Sequence, residues 1–295
     1  MTDVALFRTA YGALVRQQAT VPSPDWRKAG AGESAAAYAL RCADALERHL
    51  HRHHAHLAAF IIEPLVQGAA GMAMYHPIYL RRARQLCAEY DVHLIADEIA
   101  VGMGRTGTMF ACEQAPAPSS ASFHEGGGIT PDFLCLSKGI TGGYLPLSVV
   151  MARDEIYQAF YGDEMASGFL HSHSYTGNPL ACRAALATLE IFVRDDVLKL
   201  NRDKAAYLNQ IAMPLRDHSS VRNWRNTGMI WAFEVETSQR NFAQQCFALA
   251  LENELLLRPI GNTIYFMPPY IIAEPEMDLL VNRTLRIVNQ LSQKQ

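Results

Sequence analysis

Two residues in this chain set a reactive side chain at the end of an apolar run. Lys138 follows Phe133-Leu-Cys-Leu-Ser137 and is followed at once by Gly139, with Gly142 and Gly143 just beyond. Asp97 closes the run His93-Leu-Ile-Ala-Asp97 and precedes Glu98. An ammonium buried at a strand end without a partner is costly. A lysine bonded covalently to an aldehyde no longer carries that charge, and nearby glycines let backbone and ligand approach closely. A lysine for an aldehyde and an aspartate for a protonated ring nitrogen are the two groups that pyridoxal phosphate chemistry uses. Plainer readings compete with this one. A lysine after a strand is ordinarily a solvated turn residue, and an Asp-Glu pair serves equally as a helix cap or a metal ligand. The other lysines sharpen the choice. Lys28 lies in a Pro/Gly-rich stretch, Lys199 and Lys204 in a polar helical pattern and Lys294 in the tail, so only Lys138 joins a strand-like run to a glycine-rich turn.

The elements that position these residues follow from the apolar pattern. Residues 33–56 predict a helix, 58–63 a short strand, 67–71 a glycine-containing loop, and Pro77 opens a helix with Ile78, Leu80, Ala83, Leu86 and Cys87 on one face. Residues 93–97, 132–137 and 147–152 predict further strands. These near-continuous apolar runs suggest strands buried on both faces, as in an α/β sheet. Residues 19–33 and 116–128 read as loops. Asn178-Pro179 offers an N-cap and first-turn proline for a helix to about Val193. From residue 194 the pattern changes. A helix near 196–213, strands near 221–224 and 229–236, a helix near 240–254, strand character across 255–267 and a helix over 274–291 predict a separate small domain. The expected division is therefore 1–193 and 194–295.

Bulk properties exclude several function classes. With 49% hydrophobic and 19% charged residues the chain is too apolar for disorder. A net charge of -3 gives no electrostatic case for nucleic acid or an anionic membrane. No apolar run approaches a membrane span, and residues 1–20 lack the apolar core of a signal peptide, so a cytoplasmic protein is expected. The six cysteines are scattered without a CxxC pair and read as reduced thiols. The run Arg48-His49-Leu50-His51-Arg52-His53-His54-Ala55-His56 could set His49, His53 and His56 on one helix face, but no carboxylate or cysteine joins them in sequence. A solvated polar face is the better reading, and no metal site is expected.

Five motifs occur in a fixed order: Glu63-Pro-Leu-Val-Gln-Gly68, Leu94-Ile-Ala-Asp97-Glu-Ile99, Gly102-Met-Gly-Arg-Thr-Gly107, Leu136-Ser-Lys138-Gly-Ile-Thr-Gly-Gly143 and His173-Ser-Tyr-Thr-Gly-Asn-Pro179. In order and spacing they resemble the class III, pyridoxal phosphate-dependent aminotransferases. The resemblance implies an α/β architecture of fold type I: a large domain with a mostly parallel sheet plus a small C-terminal α/β domain. Two further stretches, Gly71-Met-Ala-Met-Tyr-His-Pro77 and Arg258-Pro-Ile-Gly-Asn-Thr-Ile-Tyr-Phe-Met-Pro-Pro-Tyr-Ile271, resemble the branch that passes an amino group from S-adenosylmethionine to 8-amino-7-oxononanoate in biotin biosynthesis. Ala69 stands where the ornithine and 4-aminobutyrate branch carries a gating glutamate.

By this resemblance Lys138 holds the cofactor aldehyde and Asp97 keeps the ring nitrogen protonated. Ile99, on the same strand side as Asp97, packs on the ring face. Ser172, His173 and Ser174 lie near the substrate and the cofactor phosphate, reached across the interface of a homodimer, with serine at 174 where threonine is common. Arg258 binds the substrate carboxylate as a fork; read alone, it could equally form a surface salt bridge. The family's chain is longer at its N-terminus by roughly a third. The large domain is therefore expected to lack the Gly-Ser turn for the phosphate, the aromatic residue stacked on the ring and the aromatic walls of the substrate pocket, and to expose apolar edges. Another class III aminotransferase, a decarboxylase of the same fold, or a non-catalytic subunit would share Lys138 and Asp97. A nucleotide-binding α/β protein is disfavoured, because the glycines of 102–107 lack GxGxxG spacing.

Overall fold

A computed structural model describes residues 9, 11, 12, 14, 18–116 and 128–292 of the chain. Two compact units emerge. The first comprises Met1–Met103 and Phe110–Ile191, the second Gly104–Met109 and Phe192–Gln295.

In the first unit, helix α1 (Ala35–His53) begins where Ser34 Oγ accepts the Ala37 N–H at 3.1 Å. Its apolar residues Ala39, Cys42, Ala43, Leu46 and Leu50 recur at helical spacing and form one buried face. That face packs with Leu80, Ala83, Leu86 and Cys87 of helix α2 (Ile78–Glu89) over the sheet residues Ile62, Leu94 and Ala96. Each fully buried leucine here contributes about 1.5–3 kcal/mol relative to exposure. Between the helices lie strand β1 (Ala59–Ile62) and a hairpin of β2 (Val66–Gln67) and β3 (Ala73–Met74). Strands β4 (His93–Asp97), β5 (Phe133–Leu136) and β6 (Val149–Ala152) complete a sheet of order β1-β4-β5-β6. The β1, β4 and β5 strands are parallel and β6 is antiparallel.

At the N-terminal edge of this sheet, Asp132 is clamped by Arg84 Nη1 at 2.6 Å, the Leu94 N–H at 2.7 Å and Arg153 Nη1 at 3.3 Å. Burial works against ionisation there. The Leu94 N–H and the two guanidinium groups outweigh it and hold the Asp132 carboxyl below its ordinary value. Beyond β6 come α3 (Asp154–Gln158) and α4 (Pro179–Arg194), and Asn178 Oδ1 caps α4 by accepting the Leu180 N–H at 3.0 Å.

The second unit holds α5 (Val197–Ile211), α6 (Met213–Arg216), β7 (Val221–Thr227), β8 (Ile230–Val235), α7 (Phe242–Glu252), β9 (Thr263–Phe266) and α8 (Glu274–Ser292). Its antiparallel sheet has β8 at the centre, buried along its whole length, and its core gathers Trp231, Phe233, Leu208, Leu215, Cys246 and Val288. A buried ion pair, Arg225 Nη2 to Glu234 Oε1 at 2.8 Å, bridges β7 and β8. Gly228 turns between them at φ +54, where a Cβ would meet the Thr106 carbonyl carbon at 2.3 Å, so only glycine fits.

Several sequence expectations need correction. Among the described residues of 255–267 only Thr263–Phe266 forms a strand. Leu255 and Leu257 are buried by packing alone, while Leu256 is exposed, so an apolar run here does not signal a ladder. Burial on both faces is not seen: β4 buries Leu94 and Ala96 on one face but leaves His93 exposed and Ile95 half-buried on the other, and the edge strands β1 and β6 expose Ile61, Val150 and Met151. The 67–71 loop is part of a hairpin. The loop reading of 116–128 falls largely outside the described residues. His49 and His53 do share a face, their rings 4.8 Å apart, and no group of three metal-ligating side chains occurs among the described residues. All six cysteines are free. No described helix is long and apolar enough to cross a membrane.

Candidate active site

Parallel strands β1, β4 and β5 bring their C-terminal ends to one edge of the sheet. Ile62 pairs with Ala96, so the next residues, Glu63 and Asp97, follow side by side. Asp97 in turn pairs with Cys135, and the Glu98 N–H donates to the Cys135 carbonyl at 3.0 Å. Lys138, three residues past Cys135, opens a single 3-10 turn to Thr141. Its own backbone is left-handed at φ +46, a conformation that costs a non-glycine residue about 1–2 kcal/mol. Ser137 Oγ donates to the Leu147 carbonyl at 2.7 Å and Thr141 Oγ1 to the Leu145 carbonyl at 2.6 Å, which fixes the turn from both sides. Gly139 is required by proximity, since a Cβ there would lie 2.9 Å from Met103 Cβ.

Electrostatics link these groups. Glu63 is half-buried, and its Oε2 accepts the Gly68 N–H at 3.1 Å. Burial pushes its carboxyl up to about 7, aided by the negative charge of Asp97 and opposed by the Gly68 N–H and the Lys138 ammonium. Asp97 Oδ1 accepts the Ile99 N–H at 3.1 Å, which orients it at the strand end. Glu98, only 1% exposed, accepts the Ala111 N–H at 2.7 Å and the Cys112 N–H at 2.8 Å. Burial raises the Glu98 carboxyl while those donors favour its charged form.

The remaining sequence-derived residues fall in different places. Strand β4 ends at Asp97, so Ile99 is not on the strand: it lies half-buried in the turn that follows, because the chain folds over to meet the Asp97 carboxylate. Ser172, His173 and Ser174 lie on an exposed segment before α4, where the His173 N–H donates to Thr176 Oγ1 and His173 Nδ1 accepts the Tyr175 N–H, each at 3.1 Å. Arg258 belongs to the second unit, exposed between α7 and β9. Sequence reasoning assigned Glu63 no role, though a glutamate closing a strand that neighbours the Asp97 strand was the available signal.

An amine at the end of β5, a carboxylate at the end of β4 and a second carboxyl between them in charge suit the aldehyde and ring-nitrogen ends of pyridoxal phosphate. The Lys138 amine could take the aldehyde and Asp97 could face the nitrogen. The α/β fold with this donor set is that of the class III aminotransferases, whose family model matches residues 2–288. The chain belongs to that family. Among curated relatives it is 42% identical over 296 residues to the adenosylmethionine-8-amino-7-oxononanoate aminotransferase of Helicobacter pylori, covering 98% of this chain and 63% of the relative. The namesake of Nitratidesulfovibrio vulgaris is 38% identical over 95% of this chain and 51% of its own length. The chain thus spans between about half and two thirds of the length of these relatives. Among solved structures, the adenosylmethionine-8-amino-7-oxononanoate aminotransferase of Methanocaldococcus jannaschii superposes with a TM-score of 0.83 at 31% identity, over 97% of this chain and 63% of that one. An omega transaminase of Pseudomonas jessenii in complex with PMP gives a TM-score of 0.80 at 27% identity, over 93% of this chain and 60% of that one.

Proposed function

We propose that the chain acts as a pyridoxal phosphate-dependent aminotransferase that moves an amino group from S-adenosylmethionine to 8-amino-7-oxononanoate, a step of biotin biosynthesis. The observation that carries this reading is the placement of Asp97 and Lys138 at and just beyond the C-terminal ends of the adjacent parallel strands β4 and β5. The names of the relatives support the substrate pair. The expected 1–193 and 194–295 would be the cofactor-binding part and the small domain, except that Gly104–Met109, Phe192 and Val193 cluster with the second unit.

Bound pyridoxal phosphate supplies an electron sink for the carbon that loses a proton. Lys138 Nζ would hold the cofactor aldehyde and would carry the proton to and from the reacting carbon as general acid and base. Asp97 would face the ring nitrogen and favour its protonated form. Ile99, in the turn beside it, would pack against the ring. Ser172, His173 and Ser174 present donors for the phosphate and the substrate. Arg258 offers two parallel N–H groups to the oxononanoate carboxylate. The exposed apolar side chains Tyr157, Tyr161, Met165, Phe169 and Leu170 suit burial against a second copy of the chain, in keeping with a cytoplasmic homodimer.

The test is Lys138→Ala. Titrated with pyridoxal phosphate, the unsubstituted chain acquires the visible absorbance of lysine-bound cofactor and produces 7,8-diaminononanoate. The variant does neither. A variant that kept both the absorbance and the turnover would refute the assignment.

A further inference from the structure

We propose that His49 and His53, at the C-terminal end of α1, chelate one divalent late first-row transition-metal ion of the nickel, copper and zinc class. Neither residue belongs to the amino-transfer site. The two stand one helical turn apart on the same face, with ring centroids 4.8 Å apart and ring planes inclined by 44°. An ion about 2.1 Å from an imidazole nitrogen lies about 3.2 Å from that ring's centroid. The 4.8 Å separation then corresponds to a nitrogen–metal–nitrogen angle of about 100°, between the square and the tetrahedral values. The terminal ring torsion of histidine is broad, so each ring can turn a nitrogen toward a shared ion. Those nitrogens are uncommitted: neither ring has a hydrogen-bond partner among the described residues, whereas His54 Nδ1 is tied to the Leu50 carbonyl and His218 Nε2 to Asn289 Oδ1, each at 3.0 Å. His53 is exposed and His49 half-buried, so an ion reaches both from solvent.

Charge sets the affinity. Burial, with the positive charges of His53 and Arg52, holds the His49 imidazole below its ordinary value and so in the neutral form that binds metal. Arg52 also repels a cation. The negative end of the 19-residue α1 dipole acts in the opposite direction. No third metal-ligating side chain joins the pair among the described residues, so water fills the remaining positions and the ion exchanges readily. Chelation has a mechanical consequence. An ion shared by residues one turn apart holds the last turn of α1 closed, including the His54 N–H that donates to the Leu50 carbonyl.

The experiment adds zinc ion alone to the full chain and to His49→Gln, His53→Gln and, as a control, His51→Gln. In nitrogen-15 NMR spectra, one ring nitrogen of His49 and one of His53 should shift together with a single midpoint. That midpoint should rise at least about tenfold when either partner is replaced, and stay unchanged in His51→Gln. At zinc about a hundredfold above its dissociation constant, amide exchange in the last turn of α1 should slow by up to about a hundredfold. A shift of one ring without the other, equal midpoints in all four proteins, or unchanged exchange overturns the shared ion, because zinc on a single ring closes no turn. Should a glutamine variant misfold, the paired shifts and the exchange of the unsubstituted chain decide the matter alone.

Discussion

Replacing Glu98 by alanine should loosen the segment that follows the site without touching either reactive group. The Glu98 carboxylate is buried and accepts the N–H groups of Ala111 and Cys112 at 2.7 and 2.8 Å. Its loss orphans both donors. Each buried, unsatisfied N–H costs about 1–3 kcal/mol. Relief of the carboxylate's own desolvation, visible in its raised proton affinity, offsets part of this. The net loss is about 2–4 kcal/mol of local stability, equivalent to about 30- to 700-fold faster opening. Glu98→Gln keeps one acceptor and should cost about half as much. Amide hydrogen exchange read on peptides spanning 98–114 measures this directly, and the Ala111 and Cys112 amides should show the largest change. Exchange in Glu98→Ala within threefold of the unsubstituted chain at both amides would refute the claim that this carboxylate pins the loop.

Asp132→Asn removes the charge that Arg84 and Arg153 share at the opposite edge of the sheet, and should cost about 2–4 kcal/mol in urea unfolding at neutral pH. Because the folded-state carboxyl titrates below its ordinary 3.8, its contribution is fully present above that value and is lost as pH falls through the lowered one. The variant's stability should therefore fall less steeply in acid, and equal slopes would count against the clamp. Arg258→Leu should raise the KM for 8-amino-7-oxononanoate at least about tenfold more than that for a simple amine substrate, which lacks the carboxylate. Steady-state kinetics on both substrates decide it.

Much of this arrangement was legible in the residues themselves. Helices α1 and α2 announce their buried faces by spacing, and His93-Leu-Ile-Ala-Asp97 announces both a strand and an acid at its end. The Asn178 cap of α4 was equally plain. What stayed hidden depends on partners distant in sequence. The two-residue strands β2 and β3 are too short to carry a period, and exist because Leu65 and Met72 take left-handed turns that bring Val66 opposite Met74. Ile99 continues the apolar pattern of β4, yet the backbone leaves the sheet one residue earlier to reach the Asp97 carboxylate. Leu255 and Leu257 look like a strand but have no ladder partner. Glu63 closes a strand in the sequence, but its nearness to the Asp97 strand end follows from the β1–β4 register.

The left-handed backbone at Lys138 has a consequence for how this protein can change. Holding a lysine in this conformation costs about 1–2 kcal/mol that a glycine would not incur. Glycine there would relax the kink and should leave a more heat-resistant but inert protein. A gain in heat resistance and the loss of the Lys138 amine would thus come from one and the same substitution.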